Sequence, residues 1–219
     1  HRTDVAKTRA VLDRLGFRRS EADDGLDDEL ARQEAWAMSC DRGAAHGIDL
    51  HWEALNSHAL GHVLPAEECF ATARHLPHLS PAAKTLDRPR FLLHTCIHRA
   101  MHRTAPYFVG GKPHFDEGRL IWSKDIALLA AAMTPEEWQD FARLALAKGV
   151  AGACLAGLQA ARDDFGAMVP GSVASELGSA AEDLYLHGSA LGRAWSDLRS
   201  VPGNRAKLRY LRGRLVPAA

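Results

Sequence analysis

Several features that would commit this 219-residue chain to a particular class of protein are missing from its sequence. The four cysteines form no Cys-x-x-Cys pair, so the sequence signals neither a disulfide framework nor a thiolate zinc knuckle. No run approaches the ~18 consecutive apolar residues that cross a bilayer, and the start of the chain carries no signal-peptide apolar stretch. We therefore expect a cytoplasmic protein with no membrane partner.

A net charge is missing as well, because 27 Lys and Arg residues balance 27 Asp and Glu residues. A chain without a long-range positive field does not attract nucleic acid non-specifically, so nucleic acid is not favoured as a partner. A local contact with nucleic acid is still conceivable at the basic helix predicted over residues 204–215, since Arg205, Arg209 and Arg212 share one face opposite the leucines. A solvated face of an amphipathic helix explains the same pattern.

Histidine is abundant, and ten of the twelve histidines lie between residues 46 and 114. His94, His98 and His102 follow each other at i, i+4 and i+8 in a predicted helix, so two of them are close enough to share a metal. The glutamate that follows the first histidine in helical metalloproteases is missing, which excludes that class. Two interpretations stay open: histidines that are buried or hydrogen-bonded, and a metal-binding helical protein unrelated to nucleotides.

The first 80 residues combine helix and strand signals. Residues 4–15 have the apolar spacing of a helix, which Gly16 ends. Two runs, QEAWAMSC and HGIDLHWEAL, alternate apolar and polar residues and predict an antiparallel hairpin, in which His46 to Glu53 pairs with residues near Trp36. Residues 21–29 carry six acids and no base, which predicts a solvated loop.

From about residue 81 onward the signals are helical. Asp87 is the predicted N-cap of one helix, and Thr134 to Glu137 forms a capping box that opens another. Between them, Ile121, Leu128 and Leu129 form an apolar stripe. Large apolar residues at helical spacing are expected in the core of this portion: Trp122, Trp138, Phe141, Leu144 and Leu158.

The expected fold class is α+β. We predict a partial α+β domain with a small mixed or antiparallel sheet over residues 1–80, and an all-α helical domain over residues 81–219. Two strands and one helix make a poor core, since a two-stranded hairpin is only marginally stable in water. The front portion therefore has fewer strands than a complete domain needs.

Five runs of the sequence, taken in order, resemble a known family over residues 3–177. They are DVAKTRAVLDRLGF, a strand pair ending in IDLHW, FLLHTCIHRAMH, LIWSKDIALL and EEWQDFARLALAKGV. Together they resemble the nucleotidyltransferase-like family of the DNA polymerase beta superfamily. The resemblance implies a metal-dependent enzyme that uses Mg²⁺ or Mn²⁺ to transfer a nucleoside monophosphate from an NTP to an acceptor that the sequence does not identify.

The resemblance also implies roles for residues of the IDLHW strand. Asp49 matches the third acid of the superfamily, which makes it the implied catalytic and metal-binding carboxylate, and His51 is a second candidate metal ligand on the same strand face. The superfamily's Gly-Ser turn and paired aspartates are expected before His1, so we expect no nucleotidyl transfer by the sequence as given. The alternative is a catalytically silent scaffold that binds a protein or peptide partner.

Three cations are candidate contacts to the nucleotide phosphates. Lys124 begins the apolar run of WSKDIALL, Arg99 lies on the histidine helix, and Lys112 belongs to the glycine-containing run YFVGGKPH, which reads as a mobile active-site loop. Each has an ordinary alternative: a local pair with the neighbouring Asp125 for Lys124, surface charge for Arg99, and a plain connection between helices for the run that contains Lys112.

Overall fold

The computed structural model describes residues 2–20, 30–40, 43, 45–103, 105, 107–109, 112–180 and 189–215. The fold is α+β, which confirms the predicted class. The acidic run at residues 21–29 lies outside the described residues. None of the described helices is long and apolar enough to cross a membrane.

The helices and strands follow each other along the chain with these bounds. The helices are α1 Val5–Arg14, α2 Ala66–Ala71, α3 Arg88–Met101, α4 Leu120–Ala131, α5 Pro135–Ala147, α6 Ala151–Phe165, α7 Gly171–Gly178, α8 Ala190–Ser200 and α9 Asn204–Leu215. The strands are β1 Arg18–Arg19, β2 Gln33–Ser39, β3 Ala45–His51, β4 Arg74–His75, β5 Lys84–Thr85, β6 Tyr107–Val109 and β7 Lys112–His114.

The chain divides into two compact units, and each is described by itself. The first contains His1–Glu67 and Ala194–Ala219, and the second contains Glu68–Arg193. The proposed division into domains at residue 80 stays a prediction.

The sheet of the first unit is antiparallel, with strand order β1-β2-β3. Trp36 lies opposite Ile48, which confirms the predicted antiparallel hairpin, and the register places Ala35 opposite Asp49. Beneath the sheet is a small core of three buried residues, against which two partly buried ones pack. These are Leu12, Phe17 and Trp36, with Met38 and Leu50.

In the second unit, α3 packs against α4, α5 and α6, and α7 packs on α5 and α6. The predicted helix signals are confirmed: the Arg90 amide donates to Asp87 Oδ1 at 2.9 Å, and Thr134 and Glu137 form the reciprocal capping box of α5. Helix α6 ends at Gly166, whose φ of 66° lies in the left-handed region that glycine tolerates.

The core of the second unit contains four of the five predicted residues, Trp122, Trp138, Phe141 and Leu158, whereas Leu144 is only partly buried. Burial of each large side chain is worth ~1.5–3 kcal/mol. Gly157 of α6 allows the closest helix contact, since a Cβ there would lie 2.9 Å from Cys96 Sγ.

The predicted apolar stripe of α4 is wrong. Leu128 is 61% exposed and Ile121 is also exposed, and α4 instead buries Trp122, Ser123 and Ile126. Because α4 is apolar on most of its circumference, its sequence does not define which face packs. The small side chain of Ser123 suits the closely packed side.

Two other segments differ from the expectation. The run from Tyr107 to His114 is not a plain loop but a hairpin of β6 and β7, with Tyr107 paired to His114; its two glycines lie outside the described residues. In the terminal helix α9, Leu208 is 68% exposed and Leu211 is also exposed, while Ala206 is buried. Leu208 and Leu211 of α9 are therefore solvent-exposed rather than part of a core.

Candidate functional site

The outer face of the β2–β3 hairpin carries Asp49 on a floor of small residues. Ala35 lies directly opposite Asp49, and Ala37 lies opposite Gly47. Among the residues that the structure describes, none would come within 4 Å of a Cβ built on Gly47, so they leave this part of the face open. Asp49 itself is exposed. A carboxylate that projects from so flat a floor is accessible to a ligand from above.

His51 follows Asp49 on the same face, opposite Gln33. Alternate side chains on a strand lie about 7 Å apart, so the two groups reach different parts of one ligand rather than chelating one ion together. Desolvation by the surrounding protein lowers the pKa of His51, although the Glu53 backbone and Asp49 act in the opposite direction. The lowered pKa favours neutral His51, the form in which imidazole binds a metal or accepts a hydrogen bond.

Glu53 comes just after the strand and is engaged elsewhere. Its Oε2 lies 3.8 Å from Arg32 Nη1, and the Arg32 guanidinium packs so closely over Gly61 that a Cβ there would lie 2.9 Å from Nη2. The next anchor is Trp52, whose Nε1 donates to the Ala31 carbonyl at 2.9 Å. These contacts fix the end of β3 directly beyond Asp49 and His51.

The inner face of the same hairpin carries a carboxylate that the sequence analysis missed. Glu34 is 2% exposed and accepts hydrogen bonds from Arg9, from Arg19 Nη1 at 3.2 Å and from Trp36 Nε1 at 3.2 Å. Arg9 on α1 and Arg19 on β1 thus bind the inner face of β2. The alternation of the strand contained the signal, because Glu34 is two residues from Trp36 and shares its face.

Arg99, a predicted phosphate contact, is committed to a carboxylate of its own unit. It is 8% exposed, and its Nη1 lies 3.5 Å from Glu117 Oε2, while Arg103 Nε lies 3.7 Å from the other oxygen of Glu117. This pairing ties α3 to the segment that precedes α4. A phosphate group would have to compete with Glu117 for Arg99.

The other two predicted cations are exposed. Lys112 begins β7, opposite Val109. Lys124 lies on α4 at an apolar groove of about 1050 Å³, whose lining also includes Leu128, Trp138 and Met168. Neither Lys112 nor Arg99 is among the described residues that line this groove. Asp49 and His51 belong to the first unit, and Arg99, Lys112 and Lys124 belong to the second.

The histidines of α3 form part of an aromatic cluster in the second unit. His102 stacks on Trp122 with a centroid distance of 4.5 Å, and Tyr107 meets both rings edge-on. The Arg119 guanidinium lies 4.7 Å from the centre of the Tyr107 ring. His98 Nε2 and His102 Nε2 are 3.2 Å apart. Across the described residues, no group of three or more His, Cys, Asp or Glu side chains could hold a metal ion.

Comparison with protein families places this chain. A family model described as an uncharacterised nucleotidyltransferase matches residues 1–166, so the chain belongs to that family. The activity class of the family is nucleotidyl transfer, which implies a nucleotide substrate. The resemblance identified from the sequence is thereby confirmed. Comparisons with curated proteins and with solved structures give no match.

Proposed function

We propose that this protein transfers a nucleoside monophosphate from an NTP to an acceptor in a reaction that depends on a divalent cation, and that Asp49 is one of the carboxylates that hold this cation. The observation that carries the proposal is the position of Asp49 on the flat outer face of the hairpin, over Ala35 and beside Gly47. The family supplies the class of reaction.

The side chains of this face fit a hard cation only in part. Mg²⁺ prefers oxygen ligands in octahedral geometry and usually keeps several waters, so one exposed carboxylate supplies one ligand. Two further carboxylates are expected from the superfamily's paired aspartates. When bound, the cation neutralises charge on the triphosphate and on the departing pyrophosphate.

The chain's own residues have simpler tasks on this face. Asp49 would hold the cation that binds the triphosphate, and the small side chains of Ala35 and Ala37 leave room for the triphosphate. Neutral His51 is positioned to accept a hydrogen bond or a proton about 7 Å further along the strand. The acceptor attacks the α-phosphorus, the bond to the bridging oxygen breaks, pyrophosphate leaves, and the proton of the acceptor passes to a base.

The experiment uses the full-length protein as the catalyst and follows the radiolabel of the NTP. With Mg²⁺ or Mn²⁺ and a cell extract as the source of acceptor, we expect label from α-³²P NTP on the acceptor and label from γ-³²P NTP in pyrophosphate. Asp49→Asn should abolish both signals. Asp164→Asn, which changes an exposed carboxylate on α6, should preserve them.

Three results would count against this proposal. Transfer of the γ label to an acceptor would indicate a kinase, and equal transfer by the Asp49→Asn variant would exclude Asp49 as a ligand. If the wild-type protein neither released pyrophosphate nor bound NTP, the result would favour the catalytically silent scaffold that binds a protein or peptide.

A further inference from the structure

We propose that His98 and His102 form a binding site for a transition-metal ion such as Zn²⁺ in the second unit, with their Nε2 atoms as ligands. The site goes beyond the proposed nucleotidyl transfer, and it involves neither Asp49 nor an NTP.

The distance between the two nitrogens fits two ligands of one ion. His98 Nε2 and His102 Nε2 are 3.2 Å apart. Two nitrogens that each bind Zn²⁺ at ~2.05 Å and subtend a tetrahedral angle are about 3.3 Å apart. The separation of the two nitrogens therefore matches that of two ligands of one tetrahedral ion. In the metal-free protein the same geometry is a hydrogen bond in which one Nε2 donates to the other.

The backbone fixes the tautomer of His102. The Ala105 carbonyl lies 3.0 Å from His102 Nδ1, and because a carbonyl oxygen only accepts, Nδ1 carries the proton. In the neutral ring Nε2 then presents its lone pair toward His98. A metal-bound histidine normally has this arrangement, with the distal nitrogen donating to a carbonyl or carboxylate.

Packing fixes the orientation of both rings. The indole of Trp122, which is buried, stacks on His102 at 4.5 Å with an interplanar angle of 8°, and it meets His98 edge-on at 5.7 Å. Tyr107 adds an edge contact to His102 at 5.6 Å. The two histidines are held perpendicular to each other, at 89°, so the ligands need little ordering when the ion binds.

The type of ligand selects the type of ion. Imidazole nitrogen suits Zn²⁺, Cu²⁺ and Ni²⁺, whereas Mg²⁺ and Ca²⁺ prefer oxygen. Two histidines leave the remaining positions of a tetrahedral ion to water or a ligand, in keeping with the lack of a three-residue metal cluster among the described residues. His94 is not a third ligand. Its ring stacks parallel to that of His98 at a centroid distance of 5.9 Å, and we assign it no bond to the ion.

The experiment measures metal binding directly. Chelator-stripped wild-type protein is titrated with Zn²⁺ by calorimetry, and with Co²⁺ while the visible d–d absorption is recorded. We expect one high-affinity ion, with the intensity of a tetrahedral Co²⁺ site. His98→Ala and His102→Ala should each weaken binding by at least about tenfold.

Matched variants separate this site from general histidine affinity and from the proposed NTP site. His94→Ala, on the same helix, and His78→Ala, an exposed histidine between β4 and β5, should bind Zn²⁺ as the wild type does. Asp49→Asn should do the same, and excess Mg²⁺ should not displace the ion.

Unchanged Zn²⁺ affinity in both His98→Ala and His102→Ala would overturn the proposal. So would a Co²⁺ spectrum typical of octahedral coordination by water in the wild type. His102→Gln guards against an artefact of unfolding, because glutamine keeps a polar side chain of similar size after the end of α3 while removing the imidazole ligand. Loss of the Co²⁺ band in a His102→Gln protein that melts like the wild type supports the site, and its retention excludes His102.

Discussion

The inner and outer faces of the β2–β3 hairpin carry one carboxylate each, in opposite environments. Glu34 is buried on the inner face, where it accepts hydrogen bonds from Arg9, Arg19 and Trp36. Asp49 lies one register position away on the outer face, where it is exposed among alanines and a glycine. Neighbouring acids on one hairpin thus differ in their engagement: Glu34 holds the strand in place, and Asp49 stays accessible, as its proposed role as a cation ligand requires.

The largest expected effect is on stability when Glu34 is removed. Glu34→Ala leaves two arginines without their buried partner and deprives Trp36 Nε1 of its acceptor. Breaking a buried ion pair costs about 3–5 kcal/mol; since both arginines are about a quarter exposed, we expect about 2–3 kcal/mol. Asp49→Ala should change the free energy of unfolding by less than about 0.5 kcal/mol. Chemical denaturation of both variants measures this difference. Equal losses of unfolding free energy in the two variants would contradict it.

A pair of glycines tests the same contrast between packed and open positions. Gly157→Ala would bring a Cβ to 2.9 Å from Cys96 Sγ and 3.2 Å from Ile126 Cδ1, and we expect a loss of about 1–3 kcal/mol from overpacking. Gly47→Ala, on the outer face of the hairpin, meets nothing within 4 Å and should be neutral or slightly stabilising. Thermal unfolding of the two variants measures the difference. A Gly157→Ala protein as stable as the wild type would show that α6 is not closely packed there.

The smallest effect concerns pH. Desolvation lowers the pKa of three histidines below the ordinary value of 6.5: His51, His58 and His102. Between the lowered pKa values and 6.5 the unfolded chain binds protons that the folded chain does not, so stability falls as the pH drops through this window and is unaffected above it. Substituting each histidine by Gln should reduce the loss of melting temperature between about pH 7.5 and 5.5. If all three variants showed the same pH dependence of melting temperature as the wild type, the lowered pKa values of these histidines would be contradicted.

Local signals were readable from the sequence because each lies within a few residues of its consequence. Asp87 and Thr134 cap helices through bonds to residues three positions on, and Gly166 ends α6 through its own backbone. The alternation that predicts the hairpin also fixes which face Asp49 occupies.

Features that depend on distant partners were not readable. The alternation of β2 places Glu34 on the face of Trp36, but no local pattern indicates its partners Arg9, 25 residues away, and Arg19, 15 residues away. The packed face of α4 is set by α3 and α6, since α4 is apolar on most sides. The sequence does not distinguish the β6–β7 hairpin from a mobile loop or a plain connection between helices, because a Gly-Gly pair is compatible with all three.

The most direct test of the division of labour measures ligand binding and stability in the same two variants. Asp49→Asn and Glu34→Gln are compared with wild-type protein for the affinity of Mg²⁺ and a non-hydrolysable NTP, by calorimetry at a temperature where all three are folded, and for the free energy of unfolding. We predict that Asp49→Asn loses at least about tenfold in affinity with unchanged stability. Glu34→Gln should lose stability and keep its affinity. Loss of affinity in Glu34→Gln, with full affinity in Asp49→Asn, would contradict the account.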